Sequence, residues 1–136
     1  MIVYKAKRKL LVFNNGTLLK TYSIALGKNP VGRKEYEGDF KTPEGAYTIY
    51  AKNPNSTYHK NLGISYPNAL DKANAAFAGR PTGGDIKIHG CNKKLSFIGR
   101  LHRRVDWTHG CIALTDDEID ELYAHVQVGT RINIYP

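Results

Sequence analysis

Two cysteines and five histidines are the residues of this chain best suited to nucleophilic or proton-transfer chemistry. His89-Gly90 closes the alternating run Asp85-Ile86-Lys87-Ile88-His89, and Thr108-His109-Gly110-Cys111 opens a short apolar run, Ile112-Ala113-Leu114. Alternation places Ile86 and Ile88 on one face of a strand, with Asp85, Lys87 and His89 on the other. A cysteine beside a histidine can form a thiolate–imidazolium pair, which makes it a nucleophile near neutral pH. Gly110 lets the backbone turn sharply before Cys111 and would free successive N–H groups to face a developing oxyanion. On spacing alone, packing is the commoner role of a lone cysteine. Cys91, two residues after His89, would share its face if the strand continued. A second thiol near Cys111 would then admit a disulfide in an oxidising compartment. Zinc held by His89, Cys91, His109 and Cys111 would need a His-x-Cys repeat that is not a structural-zinc pattern, so no metal is expected.

These residues need a frame that a chain of 136 residues and 15.2 kDa supplies as one domain, residues 1–136. Residues 2–13, 17–26, 46–51, 62–66, 85–89, 112–114 and 130–135 read as strands, and Asn14-Asn15-Gly16 suits a hairpin turn. Thr42-Pro43-Glu44-Gly45 forms a further turn. Helices are expected at 69–78 and after Thr115, where Thr115 and Glu118 make a capping box. Ile119, Leu122, Tyr123 and Val126 then form one buried stripe. The fold class is mostly β (α+β). A net charge of +8 implies an anionic partner, nucleic acid or an acidic polymer such as the bacterial cell wall. The basic residues are scattered and no RNP-type, helix-turn-helix or zinc-finger pattern is present, so nucleic acid is not expected. A non-catalytic basic module binding glycan or nucleic acid is the competing reading. No apolar run approaches the roughly 20 residues of a membrane span.

The order His89-Gly90, then Thr108-His109-Gly110-Cys111, resembles the signature of L,D-transpeptidase catalytic domains of the YkuD type. Gly38-Asp39-Phe40-Lys41-Thr42-Pro43-Glu44-Gly45-Ala46-Tyr47 resembles a second block of that family, and the likeness runs to Ile132-Asn133-Ile134. It implies a single β-sandwich or barrel-like domain with one or two short helices. It also implies that Cys111 is the nucleophile and that His89 is the general base, oriented by the Gly90 carbonyl. His109 would line the site, the N–H groups of Gly110 and Cys111 would hold the oxyanion, and the Thr108 hydroxyl would fix the turn. The implied reaction is attack on an amide after an L-centre in a peptidoglycan stem peptide, with loss of a D-amino acid and formation of a thioester. A D-amino acid or peptide amine resolves that thioester in a transpeptidase, and water resolves it in a carboxypeptidase or amidase. No cofactor is implied. A monomer in the periplasm or cell envelope is expected, although no export signal is visible in the chain.

One position departs from the pattern. Family members commonly carry Arg or Asn two residues after the cysteine, and here Ala113 stands there. Ser96-Phe97-Ile98-Gly99-Arg100, His102-Arg103-Arg104 and Asp106-Trp107-Thr108 resemble a branch with Ala at that place, which includes envelope enzymes that hydrolyse. Arg100, Arg103 and Arg104 are candidates to bind the carboxylates of a diaminopimelate-containing stem peptide. Tyr58 and His59 are candidate cleft-wall residues, Trp107 a candidate stacking residue, and His102 and His125 are expected to be structural.

Overall fold

The computed structural model describes residues 1–92 and 96–136, with the side chains of all of these except 96–98 and 100. The strands are β1 (Ile2–Tyr4), β2 (Lys9–Asn14), β3 (Thr17–Ser23), β4 (Gly45–Ser56), β5 (His59–Ile64), β6 (Lys87–His89), β7 (Ile112–Ala113) and β8 (Arg131–Tyr135). Helix α1 spans Ala69–Phe77 and α2 spans Asp116–His125, while Ser96–Arg104 forms a 3-10 segment kinked at Gly99. The strands make one sheet in the order β3-β2-β1-β8-β4-β5-β6-β7. The architecture is mostly β with two helices, as expected.

Local rules account for most of these elements. Asn15 and Gly16 take φ of 49° and 80°, the left-handed pair a two-residue type I′ turn requires, and they join β2 to β3. The strand expected over 2–13 is broken between Tyr4 and Lys9, where Arg8 adopts φ 50° and the backbone turns. The strand expected over 46–51 runs on to Ser56, with bulges against β5. Strand β6 starts only at Lys87, because Asp85 sits at φ 55°. Thr115 accepts the Glu118 N–H and Glu118 reaches back, so α2 begins where the capping box places it. Asn68 and Asp71 cap α1 in the same way. Ile119 and Leu122 of α2, with Val126 at its C-cap, meet Ile49, Leu62, Ile64, Ile88, Ile112, Ile132 and Ile134 in the core.

The sheet curls until its ends meet. Ala25, just past β3, exchanges hydrogen bonds of 3.1 and 2.9 Å with Ala113 of β7, and Gly27 bridges Thr108. The segment between β3 and β4 is clamped by polar side chains. The Lys5 ammonium donates to Gly32 O at 2.7 Å, Thr42 O at 2.8 Å and Glu44 Oε1 at 3.0 Å. Thr42 Oγ1 accepts the Gly27 N–H at 3.1 Å. Burial would raise the Asp39 carboxyl, but the Lys34 ammonium at 2.8 Å and the N–H groups of Glu35, Lys41 and Tyr36 hold it below its ordinary value. A Cβ on Gly27 would lie 2.1 Å from Phe40 O, so glycine alone fits that crossing. The block from Gly38 to Tyr47 is therefore scaffold, and it presses on the Cys111 turn.

Lys5 is 2% exposed, so Lys5→Met strands Glu44 and two carbonyls without their donor. The expected loss is about 3 kcal/mol of unfolding free energy. Urea titration with an unchanged m-value measures it, and an unchanged midpoint contradicts the clamp.

Candidate active site

Strands β6 and β7 run parallel, with Ile88 opposite Ile112 and His89 opposite Ala113. That register sets Lys87 beside Cys111 and carries the His89 side chain one pleat further along the same face. His89 and Cys111 line one cavity of about 350 Å³ with Asp85 and Lys87. Its far wall is the β4–β5 hairpin, through Asn53, Asn55, Tyr58 and Asn61.

The His89 ring is fixed on every side. Its Nδ1 lies 2.6 Å from Gly90 O. A carbonyl only accepts, so the proton sits on Nδ1 and Nε2 is left as the base. The Tyr58 ring stacks on the imidazole at 4.6 Å, and Trp107 meets it edge-on at 5.6 Å. Trp107 is held in turn by donation from Nε1 to His102 Nδ1 at 3.2 Å. Gly90 is needed here for space: a Cβ would lie 2.6 Å from Asp116 Oδ1 and 3.0 Å from Tyr58 O.

The Cys111 turn is fixed by Thr108, whose hydroxyl donates to Cys111 O at 2.7 Å and accepts the Gly110 N–H at 3.1 Å. Gly110 has φ 137°, and a Cβ there would lie 2.7 Å from Lys41 O, so the turn sits directly against the clamped segment. Cys111 Sγ donates to Asp85 O at 3.3 Å. Burial pushes the thiol above its ordinary pKa, against the opposing pull of the Lys87 N–H and ammonium. Burial also lowers His89 to about 4, although the Gly90 carbonyl bond favours the protonated ring. Both shifts favour the neutral thiol and the neutral imidazole. They run against the thiolate–imidazolium pair expected from the residue types, because desolvation penalises each charged form.

Other expected site residues are distributed differently. The Gly110 N–H expected to face an oxyanion is donated to Thr108, which leaves Cys111 N–H at that end of the turn. His109 is exposed, packs edge-on against Phe40 at 5.1 Å and lines a separate cavity of about 270 Å³ with Lys34 and Ile86. Arg103 pairs within the protein, its Nη1 donating to Glu118 Oε1 at 2.5 Å and to Ser23 O at 3.1 Å. Arg104 is exposed at the end of the 3-10 segment, and the Arg100 side chain lies outside the described residues. His59 is no part of the cleft wall, since Asp120 holds it at 2.8 Å on the outer face. Trp107 packs on His89 instead of standing open for stacking. Cys91 is buried with its sulfur 3.8 Å from Leu114 O, at the opposite end of the β6–β7 pair from Cys111 Sγ, and both thiols are free. Among the described residues no group of three or more His, Cys, Asp or Glu converges on a metal position.

Sequence reasoning missed the asparagines of the hairpin wall and gave no role to Lys87. The one available signal was the alternation that puts Lys87 on the His89 face.

Residues 1–134 match the YkuD family, the L,D-transpeptidase catalytic domain. The chain is 31% identical over 128 residues to "Putative L,D-transpeptidase YafK" of Escherichia coli K12, covering 88% of this chain and 44% of that protein. It is 33% identical over 137 residues to "Putative L,D-transpeptidase YqjB" of Bacillus subtilis 168, covering 98% of this chain and 69% of the relative. The crystal structure of the helical cell shape determining protein Pgp2 from Campylobacter jejuni superposes with a TM-score of 0.73 at 28% identity, over 98% of this chain and 46% of that one. The chain thus spans less than half the length of YafK and Pgp2. An L,D-transpeptidase from Mycobacterium smegmatis shares the fold at 17% identity, with a TM-score of 0.66 over 99% of this chain and 57% of that one.

Two consequences of the neutral pair are measurable. Alkylation of native Cys111 by iodoacetamide at pH 7 should be slower than that of a free cysteine peptide and should climb at higher pH than the peptide's does. Fast alkylation that is independent of pH down to 5 contradicts a neutral thiol. His89 has its folded pKa below the ordinary 6.5, so the unfolded chain binds its proton more readily. That part of the stability is full above about 6.5 and is lost as pH falls toward 4. Thermal unfolding from pH 7 to 4 should show a smaller decline for His89→Asn than for the parent protein.

Proposed function

The chain belongs to the L,D-transpeptidase catalytic domain family, and on that basis we propose that it is a cysteine acyltransferase acting on peptidoglycan stem peptides. The observation that carries this reading is the His89 ring, locked by Gly90 O with Nε2 free, in the same cavity as the Cys111 thiol. The thiol leaves Asp85 O and gives its proton to His89 Nε2 as Sγ attacks the carbonyl carbon of an L-centred residue. The oxyanion is held by the Cys111 N–H, since Gly110 is engaged by Thr108. The C–N bond then breaks, His89 returns the proton to the leaving D-amino acid amine, and a thioester remains on Cys111. An incoming amine gives up a proton to His89, attacks the thioester, and leaves a new amide and a reprotonated thiol.

Neutral resting groups suit this sequence, because the proton moves only when attack occurs and the imidazolium exists only as a transient. Tyr58 stacks against the ring that becomes cationic, an arrangement that favours the charge at that moment. The acidic polymer in the cell envelope also suits the net charge of +8, which raises the local concentration of an anionic substrate.

Hydrolysis by an L,D-carboxypeptidase or amidase is the second reading, and Ala113 favours it. Opposite His89 and fully buried against Ala25, Ala113 brings no polar group to hold an acceptor amine.

Digestion of purified sacculi tests both readings. Cys111→Ala should abolish release of altered muropeptides while leaving the fold intact, and His89→Asn should slow release about 10²- to 10⁴-fold. Added D-methionine is incorporated by a transferase and ignored by a hydrolase, which mass spectrometry of the products separates. Unchanged release by Cys111→Ala overturns the proposal.

A further inference from the structure

We propose that Lys87 selects the acyl donor by pairing its ammonium with the C-terminal carboxylate of the D-residue that leaves. The inference rests on the acyl-transfer reading above and names the feature of the substrate that the cavity recognises. Among the described residues, Lys87 is the one Lys or Arg side chain lining the cavity shared by Cys111 and His89. The rest of that lining is mainly amides and hydroxyls, from Asn53, Asn55, Asn61, Ser56 and Thr57. The β6–β7 register places Lys87 beside Cys111 and two residues before His89 on the same face. Residues at that spacing lie about 7 Å apart along a strand, within reach of a lysine side chain.

Proton transfer decides which part of the substrate comes here. His89 Nε2 must return its proton to the leaving amine, so that amine has to lie in the His89 cavity. In a terminal amino acid a single carbon separates the amine from the carboxylate. The carboxylate therefore enters the same cavity, where Lys87 provides the positive charge. When a D-amino acid is the acceptor, the same carboxylate site holds it for attack on the thioester.

Lys87 is only loosely paired, unlike three cations elsewhere in the chain. Its nearest acidic group is Asp85 Oδ1 at 3.6 Å, beyond hydrogen-bond length, and the Asp85 side chain is 87% exposed. Lys34 is bound to Asp39 at 2.8 Å, Lys60 to Asp120 at 2.7 Å and Arg103 to Glu118 at 2.5 Å. Those three cations are already neutralised by protein carboxylates. Lys87 has only a loose, solvent-facing partner that a substrate carboxylate can replace.

A free carboxylate next to the scissile bond thus becomes a requirement. A stem tetrapeptide satisfies it, whereas a pentapeptide or a terminal amide places a neutral amide at Lys87.

The test compares kcat/KM for a stem tetrapeptide ending in D-alanine with kcat/KM for the same peptide capped as its primary amide. The parent protein should prefer the acid by about tenfold to a hundredfold, the range of a charge-assisted hydrogen bond. Lys87→Met keeps the length of the side chain and removes the charge, and it should turn over acid and amide with equal kcat/KM. Lys87 also acts electrostatically on Cys111 and His89, but a change in their reactivity scales both peptides alike and leaves the ratio untouched. A parent protein that processes both peptides equally overturns the assignment, as does a Lys87→Met variant that keeps the preference; the acyl-transfer reading survives either result. A parent protein that processes neither peptide overturns that reading, and the Lys87 assignment with it.

Discussion

The whole site depends on a very short piece of parallel sheet. Strand β6 has three residues and β7 has two, yet their register is what sets Cys111 and His89 on one face. Parallel pairing is slightly weaker per residue than antiparallel pairing, and so short a ladder has little cohesion of its own. Its stability is borrowed. Ala25 adds an antiparallel bridge to Ala113, β5 pairs with β6 on the other side, and Leu114 N–H reaches back to His89 O at 2.8 Å. Asp106 accepts the Leu26 N–H at 2.9 Å and also holds Arg8 through Nη2 at 2.7 Å, which fixes the approach to Thr108. Most of the fold's closure converges on the two strands least able to hold themselves.

The same closure explains the charge state of the pair. A ring stacked on Tyr58, flanked by Trp107 and backed by a buried β-ladder has lost the water that would stabilise an imidazolium. Close packing gives His89 one orientation and, by the same contacts, lowers its basicity. An imidazole whose pKa is lowered in this way accepts a proton reluctantly. Gly90 O offsets part of that reluctance by holding Nδ1–H, and the electron-rich face of Tyr58 acts in the same direction. Orientation is gained at some cost in basicity, and the Gly90 carbonyl and the Tyr58 ring recover part of it.

The parts legible from the sequence were those that follow local rules. The Asn15-Gly16 hairpin, the Thr115–Glu118 cap and the stripe Ile119, Leu122, Val126 all stand where the residues point. The Gly110–Cys111 turn and the end of the His89 strand were legible for the same reason, because alternation and a glycine are local signals. The cations were not legible. Nothing near Arg103 in the chain shows that Glu118, a capping residue, and Ser23, at the end of a strand, will enclose its guanidinium. His59 is taken by Asp120 in the same way, through a contact between segments far apart in sequence. A charged side chain's role depends on which opposite charge folding brings to it, and that is a tertiary fact.

The two motif blocks also turn out to be different kinds of thing. Residues around His89 and Cys111 present the imidazole and the thiol to one cavity. The block from Gly38 to Tyr47 works mainly through carbonyls, buried ion pairs and hydrogen bonds within the protein. Lys41 O lies where a Gly110 side chain would be, Phe40 O lies where a Gly27 side chain would be, and Tyr47 Oη donates to Asp71 Oδ2 at 2.7 Å. Such contacts tolerate little change, since a shift of one ångström in the segment would move the Cys111 turn with it. The opposite wall follows another logic: Asn53 and Asn55 lie on the exposed, bulged end of β4, outside the core. Substitution there can reshape what the cavity accepts without moving the strands that carry the thiol and the imidazole. Rigidity sits on the Cys111 side of the cavity and latitude on the other, an arrangement in which the lining of the cavity can change while the thiol and the imidazole stay in place.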